Sequence, residues 1–230
     1  MMHQYGTNIS KLYLFKLSIP IFFSNIAIPL VGLVDTALMG HMGSEKFLAA
    51  ISIATTVITM LFWSFGFLRM GTVGLVSQSL GRKDWNEITL VLIRNLALAL
   101  LIGFLIILLK NPILLLVEHF FKTSQETKLL INQYISIRIL SAPAELILYV
   151  LTGFYLGLQK TKIASIGVSI FCIGNIIFSL IFVIHLNLEI IGVAAGTLIS
   201  AYLTIVILLM FSYFFLKNKF DSFVTIKKIF

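Results

Sequence analysis

The stretch ITLVLIRNLALALLIGFLIILL, Ile88–Leu109, decides the fold: 22 residues with a single charge, Arg94. Wound as a helix at about 1.5 Å per residue, it crosses the roughly 30 Å hydrocarbon core of a bilayer. A lone strand in lipid would leave its backbone polar groups unpaired, so helix is the only sensible state for it. Outward from this stretch, five more apolar runs of spanning length follow the same rule. They are predicted at Leu17–Met39, Phe47–Leu68 with an extension to Leu80, Leu129–Leu158, Ile163–Ile184 and Ile190–Leu216. The fold class is an all-α membrane protein, a six-helix bundle.

Composition agrees. The chain of 230 residues is 59% hydrophobic and only 11% charged, against about 25% charged in an ordinary soluble domain. Twenty phenylalanines could not all hide in the core of so small a protein, so lipid must cover part of the surface. Seventeen Lys and Arg against nine Asp and Glu give a net charge of +8. The bases fall in pairs between apolar runs, which points to membrane orientation and away from nucleic acid. Cys172 stands alone inside an apolar run, so neither an internal disulfide nor a Cys-based metal site is expected. His3, His41, His119 and His185 lie at the N-terminus or at segment ends without a helical partner at ligand spacing, so no zinc site and no cofactor are expected. No G-x-x-x-x-G-K-[ST] phosphate loop occurs, so the chain does not itself hydrolyse ATP. The run after Lys11 and Lys16 is longer than a signal-peptide core and ends on Asp35, so it reads as a retained first helix.

The connectors carry the helix breakers and charges: 41–46, 81–87, 110–128, 159–162 and 185–189. Within the third, NPILLLVEHFFK (Asn111–Lys122) reads as a short interfacial helix. With the N-terminus inside, ten bases fall on inner connectors (Lys11, Lys16, Arg82, Lys83, Lys160, Lys162, Lys217, Lys219, Lys227, Lys228). Four fall outside (Lys46, Lys110, Lys122, Lys128). That asymmetry places both termini in the cytoplasm of a cell that inserts the chain in its inner membrane. Residues 1–216 are expected to form one six-helix lobe and residues 217–230 a basic cytoplasmic tail.

A few polar residues sit where a membrane helix holds them only at a cost. Asp35, near the outer end of segment one, is a carboxylate in or near hydrocarbon. At mid-bilayer that costs about 2.5–3.5 kcal/mol on insertion scales, and less near an interface. Such a group can take up a proton, release it when water returns and change its hydrogen bonds at each step, as a proton-coupled transporter requires. The other reading is a structural Asp at the helix end, solvated or paired with Arg. Arg138 and Glu145 share a helix face, but seven residues put them about 10 Å apart, too far for direct pairing. Arg69 on segment two could bridge to either carboxylate. Structural ion pairing is the favoured role for all three. Asn175, in the middle of segment five, and Thr197, beside Gly196 on segment six, are either packing groups or ligands. Gly153-x-x-x-Gly157 fits a small-xxx-small contact pattern. Pro20, Pro29 and Pro143 can bend their helices and free carbonyls toward a cavity.

Five stretches carry a family resemblance: SIPIFFSNIAIPLVGLVDTALMGHMG (Ser18–Gly43), FLRMGTVGLVSQSLG (Phe67–Gly81), IRILSAPAELILYVLTGFYLGLQ (Ile137–Gln159), GNII (Gly174–Ile177) and GVAAGT (Gly192–Thr197). In this order they resemble the multidrug and toxic compound extrusion (MATE) family, most closely its DNA-damage-inducible F (DinF) branch, over the N-terminal half of that family's members. The resemblance implies a secondary antiporter that exports cationic or amphipathic compounds in exchange for protons or sodium. It also implies a twelve-helix architecture in two lobes around a central cavity. Asp35 falls on the family's cation-coupling aspartate, with Asn175 and Thr197 on polar positions of the same site. Phe182 and Phe178 stand where the family often has acidic and polar residues, which weighs against sodium because hard cations want several oxygens. Activity is expected to need a C-terminal lobe, encoded separately or supplied by self-association. The alternatives are a truncated inactive remnant, an accessory membrane subunit or, remotely, an intramembrane enzyme. No histidine at mid-membrane could serve the last as a base.

Overall fold

The computed structural model describes residues 19, 22, 32–42 and 44–227, with 218–227 by backbone alone. The expectations for His3, Lys11, Lys16, Pro20, Pro29, most of Leu17–Met39 and the side chains of the tail lie outside the described residues. Those residues form helices and no strand. The first helix is described as α1, residues 32–41. It is followed by α2 (Glu45–Trp63), α3 (Phe67–Gly81), α4 (Trp85–Leu108), α5 (Lys110–Phe120), α6 (Gln125–Arg138), α7 (Ala142–Gly157), α8 (Thr161–Leu180) and α9 (Glu189–Lys227). Five stretches among the described residues are long and apolar enough to cross a membrane: Glu45–Gly81, Trp85–Leu108, Gln125–Gly157, Thr161–His185 and Glu189–Lys217. The segment predicted at Leu17–Met39 is the sixth of the sequence-based set.

Three predicted spans are not simple rods. The second breaks at Ser64–Gly66, where the Phe65 and Gly66 amides donate to Phe62 and Trp63, three residues back, at 3.0 and 2.9 Å. That tightening separates α2 from α3. The fourth carries a 3-10 turn, Ile139–Ser141, between α6 and α7. Pro143 causes it, since its ring supplies no N–H to the Ile139 carbonyl. Across the gap, the Tyr202 hydroxyl of α9 donates to the Leu140 carbonyl at 3.0 Å. The fifth ends in a π turn, Ile181–His185. The sixth, expected to stop at Leu216, continues as backbone helix to Lys227. The short helix expected in Asn111–Lys122 is α5.

Helix ends follow local chemistry. Asp84 caps α4 by accepting from the Glu87 amide at 3.0 Å, and Ser124 caps α6 by accepting from Thr127 at 3.3 Å. The chain leaves α3 and α7 through left-handed residues, Lys83 at φ 58° and Gln159 at φ 60°. In each turn an amide reaches back five residues, Asp84 to Ser79 at 3.0 Å and Lys160 to Tyr155 at 2.8 Å.

The α6–α7 span is the centre of the bundle. α7 packs on α3, α4, α8 and α9, while α6 packs on α2 and α9. Apolar residues lie all around α7, and thirteen of its sixteen residues are buried. The other helices bury one face and leave such residues as Met60, Met70, Phe104 and Leu108 exposed, as lipid contact requires. The Gly153-x-x-x-Gly157 pattern is the α3–α7 contact. A Cβ on Gly153 would stand 2.6 Å from the Arg69 carbonyl oxygen, and one on Gly157 would stand 2.8 Å from Val76 Cβ.

Candidate functional site

Asp35 faces inward. On α1 it shares the buried stripe with Met39, one turn on, and only 4% of it is exposed. Its polar neighbours are Ser179 and the Arg138 guanidinium. One carboxylate oxygen, Oδ1, is buried without a hydrogen bond.

The amide and hydroxyls opposite it come from α8 and α9. Cys172, Asn175, Ser179 and Val183 are all buried, and their spacing of three and four residues makes one helical stripe. Asn175 Nδ2 donates to Thr197 Oγ1 at 2.5 Å, and Thr197 donates to its own helix at Val193 O, 3.2 Å away. Asn175 therefore gives one of its two N–H donors to Thr197, while its Oδ1 is buried without a partner, as is Ser179 Oγ. Gly196 allows this approach, because a Cβ there would stand 2.5 Å from Ser179 Oγ and 2.7 Å from Ser179 N. The amide thus ties α8 to α9, as the packing reading expects, and leaves its oxygen without a partner.

Arg138 and Glu145 correct an expectation. They pair directly through Nη1 and Oε1, with side chains 10% and 13% exposed. The 10 Å rise separates backbones, whereas two long side chains reaching toward each other along one face close that distance. Ser141, in the 3-10 turn between them, accepts from Arg138 Nη1 at 2.6 Å, and its Oγ lies 2.8 Å from Glu145 Oε1. The guanidinium also lies 5.7 Å from the centre of the Phe62 ring, within cation–π range. Its Nε is buried without a hydrogen bond. Arg69 does not bridge: it makes no ion pair with either carboxylate among the described residues. Its half-buried side chain lies near Tyr149.

These groups share one cavity of about 190 Å³, lined by Asp35, Tyr134, Arg138, Glu145, Tyr149 and Thr197 with Thr55, Thr59, Phe62, Trp63 and Phe171. Asp35, Thr197, Arg138 and Glu145, four of the six residues singled out in the sequence, therefore converge. Asn175 joins them through Thr197, and Arg69 stands apart. Sequence reasoning missed Ser179 and Tyr134. The signal for Ser179 was its position one turn beyond Asn175, on the same face. Phe178 and Phe182 stack on each other, ring centres 6.1 Å apart, beside the polar stripe that Ser179 continues. Among the described residues no three His, Cys, Asp or Glu converge as a metal-binding group.

A family model described as MatE matches residues 20–183. The chain is 38% identical over 194 residues to DNA damage-inducible protein F of Escherichia coli (strain K12), covering 84% of this chain and 42% of that protein. It is 24% identical over 201 residues to Multidrug export protein MepA of Staphylococcus saprophyticus, covering 87% of this chain and 44% of that one. The chain thus spans under half the length of these curated relatives. Among solved structures, a MOP superfamily transporter from Pyrococcus furiosus superposes with a TM-score of 0.77 at 21% identity, over 84% of this chain and 43% of that one. A multidrug resistance MATE family transporter in an outward-facing conformation gives 0.78 at 22%, with the same coverage. At such identities the superpositions establish the fold. The family model, which covers most of the sequence, shows that this chain belongs to the MatE family, and the five spans among its described residues share the fold of these transporters.

Proposed function

We propose that this chain is one lobe of a secondary antiporter that exports drugs or other cationic, amphipathic compounds in exchange for protons, with Asp35 as the cation-coupling carboxylate. One observation carries the reading: a buried carboxylate with an unpartnered oxygen faces a cavity. A purely structural aspartate would spend both oxygens on donors, because an unmet buried acceptor costs about 1–3 kcal/mol. Here the carboxylate keeps a valence open for a proton. The name of one relative, a multidrug export protein, supports the substrate class.

Sodium is the second reading, and a specific observation favours it. Asp35 Oδ1, Asn175 Oδ1 and Ser179 Oγ are buried oxygens left without a partner, with Ser179 beside Asp35 and one helical turn from Asn175. Oxygens are what a hard cation takes. Ser179 supplies polarity that Phe178 and Phe182 do not.

Alternating access needs two bodies moving against each other, so export is proposed for this lobe with a C-terminal partner lobe. The test is export in proteoliposomes containing both lobes, under an imposed proton gradient and separately under a sodium gradient. Asp35→Asn is expected to abolish ion-driven export while leaving insertion intact. Unchanged export by that variant removes Asp35 from the mechanism. No flux from the two-lobe protein under either gradient favours an accessory or inactive chain instead.

A further inference from the structure

The two ends of the bundle differ in charge. One gathers the start of α2, α5 with its flanks and the α8–α9 link. There Lys46, Lys110, Lys122 and Lys128 are balanced by Glu45, Glu118, Glu126 and Glu189, and Lys46 pairs with Glu126. The other end gathers the α3–α4 turn, the α7–α8 turn and the Lys217 region of α9. It carries Arg82, Lys83, Lys160, Lys162 and Lys217, all exposed except the half-buried Lys160. Among the residues with described side chains its acids are engaged: Asp84 caps α4, and Glu87 lies 3.4 Å from Arg94.

The excess is focused on one place. Lys160 Nζ stands 4.2 Å over the Phe215 ring, and Trp85 meets the same ring edge-on with centres 6.1 Å apart. Three chain segments thus meet at an aromatic pair, with further bases two or three residues away on each. The two turns are closed by their five-residue backbone bonds, so the bases project from fixed supports. A Trp at a helix end with apolar helix on one side and bases on the other suits the headgroup level of a bilayer. Bases at that level attract anionic lipid over about a Debye length.

We propose that this end is a docking surface for the headgroup of an anionic phospholipid. Its phosphodiester would lie against Lys160 and the Arg82–Lys83 turn, and its glycerol and upper acyl chains beside Trp85 and Phe215. The partner is lipid and not free phosphate, because half of the contact is aromatic and apolar.

The chain has two tryptophans, Trp63 and Trp85, so Trp63→Phe leaves Trp85 as the only reporter. This variant is reconstituted in phosphatidylcholine vesicles containing increasing fractions of phosphatidylglycerol or phosphatidylcholine brominated on the acyl chains. Brominated phosphatidylglycerol is expected to quench Trp85 at several-fold lower mole fraction than brominated phosphatidylcholine. Adding Arg82→Gln, Lys83→Gln and Lys160→Gln should raise the required fraction about tenfold or more. Lys160→Arg, which keeps the charge, should retain the preference. Equal quenching by the two lipids, or a preference that survives the triple substitution, overturns the proposal. So does displacement of the brominated lipid by soluble glycerophosphate, which would mark a free-phosphate site.

Discussion

Gly153→Ala tests how the central span is seated. The added Cβ would stand 2.6 Å from the Arg69 carbonyl oxygen and 3.0 Å from Thr72 Cβ. Ordinary contact begins near 3.4 Å, so α3 and α7 must part by up to 0.8 Å. The obstacle is backbone and cannot rotate away. A gap of that size forfeits about a quarter to a half of the dispersion well for atoms facing each other across the interface. Overpacking of this kind costs about 1–3 kcal/mol. Alanine's better helix propensity returns about 1 kcal/mol, so a net loss of up to about 2 kcal/mol is expected. Gly71→Ala, on the adjoining helix, is the control, because a Cβ there meets nothing within 4 Å. It should be neutral or stabilising by up to about 1 kcal/mol. Both are measured by unfolding in mixed micelles with increasing SDS, followed by far-UV circular dichroism. Equal effects of the two substitutions would refute the close α3–α7 approach as the reason for Gly153.

Three further outcomes are expected in the same unfolding assay. Glu145→Gln should cost about 3 kcal/mol, because it strands a buried guanidinium. The double change with Arg138→Met should cost less than the two singles together, and strict additivity would show the pair uncoupled. Thr197→Val removes the acceptor of Asn175 Nδ2 and should lose about 1–2 kcal/mol; an unchanged midpoint would mean that the amide finds another partner. Ser179→Ala removes only a hydroxyl beside Asp35, so stability should stay within about 0.5 kcal/mol while ion-driven export by the two-lobe protein falls. Wild-type export by that variant would exclude Ser179 from the ion site.

What could be read in advance was whatever depends on periodicity and solvent. Spans, connectors and the short helix in Asn111–Lys122 follow from runs of apolar residues, since a backbone in lipid has few states open to it. Local breaks were less legible. Pro143 announced the bend between α6 and α7, whereas Gly66 in Ser64–Gly66 permits the break between α2 and α3 without requiring it. Asp35, Asn175 and Thr197 stood out as polar groups in hydrocarbon. Ser179 did not, because a serine can satisfy itself on its own helix and so passes unremarked in any membrane segment.

The sequence by itself determined that this is a bundle of membrane helices bearing a costly acid, because the free energy of placing side chains and peptide groups in lipid is local and additive along the chain. Only the tertiary structure decided which polar groups meet. Arg138 closes on Glu145 and leaves Arg69 aside, and Gly196 brings Ser179 and Asn175 into the site with Thr197. Those outcomes turn on side-chain reach and on helix approaches of a fraction of an ångström, which one-dimensional spacing does not contain.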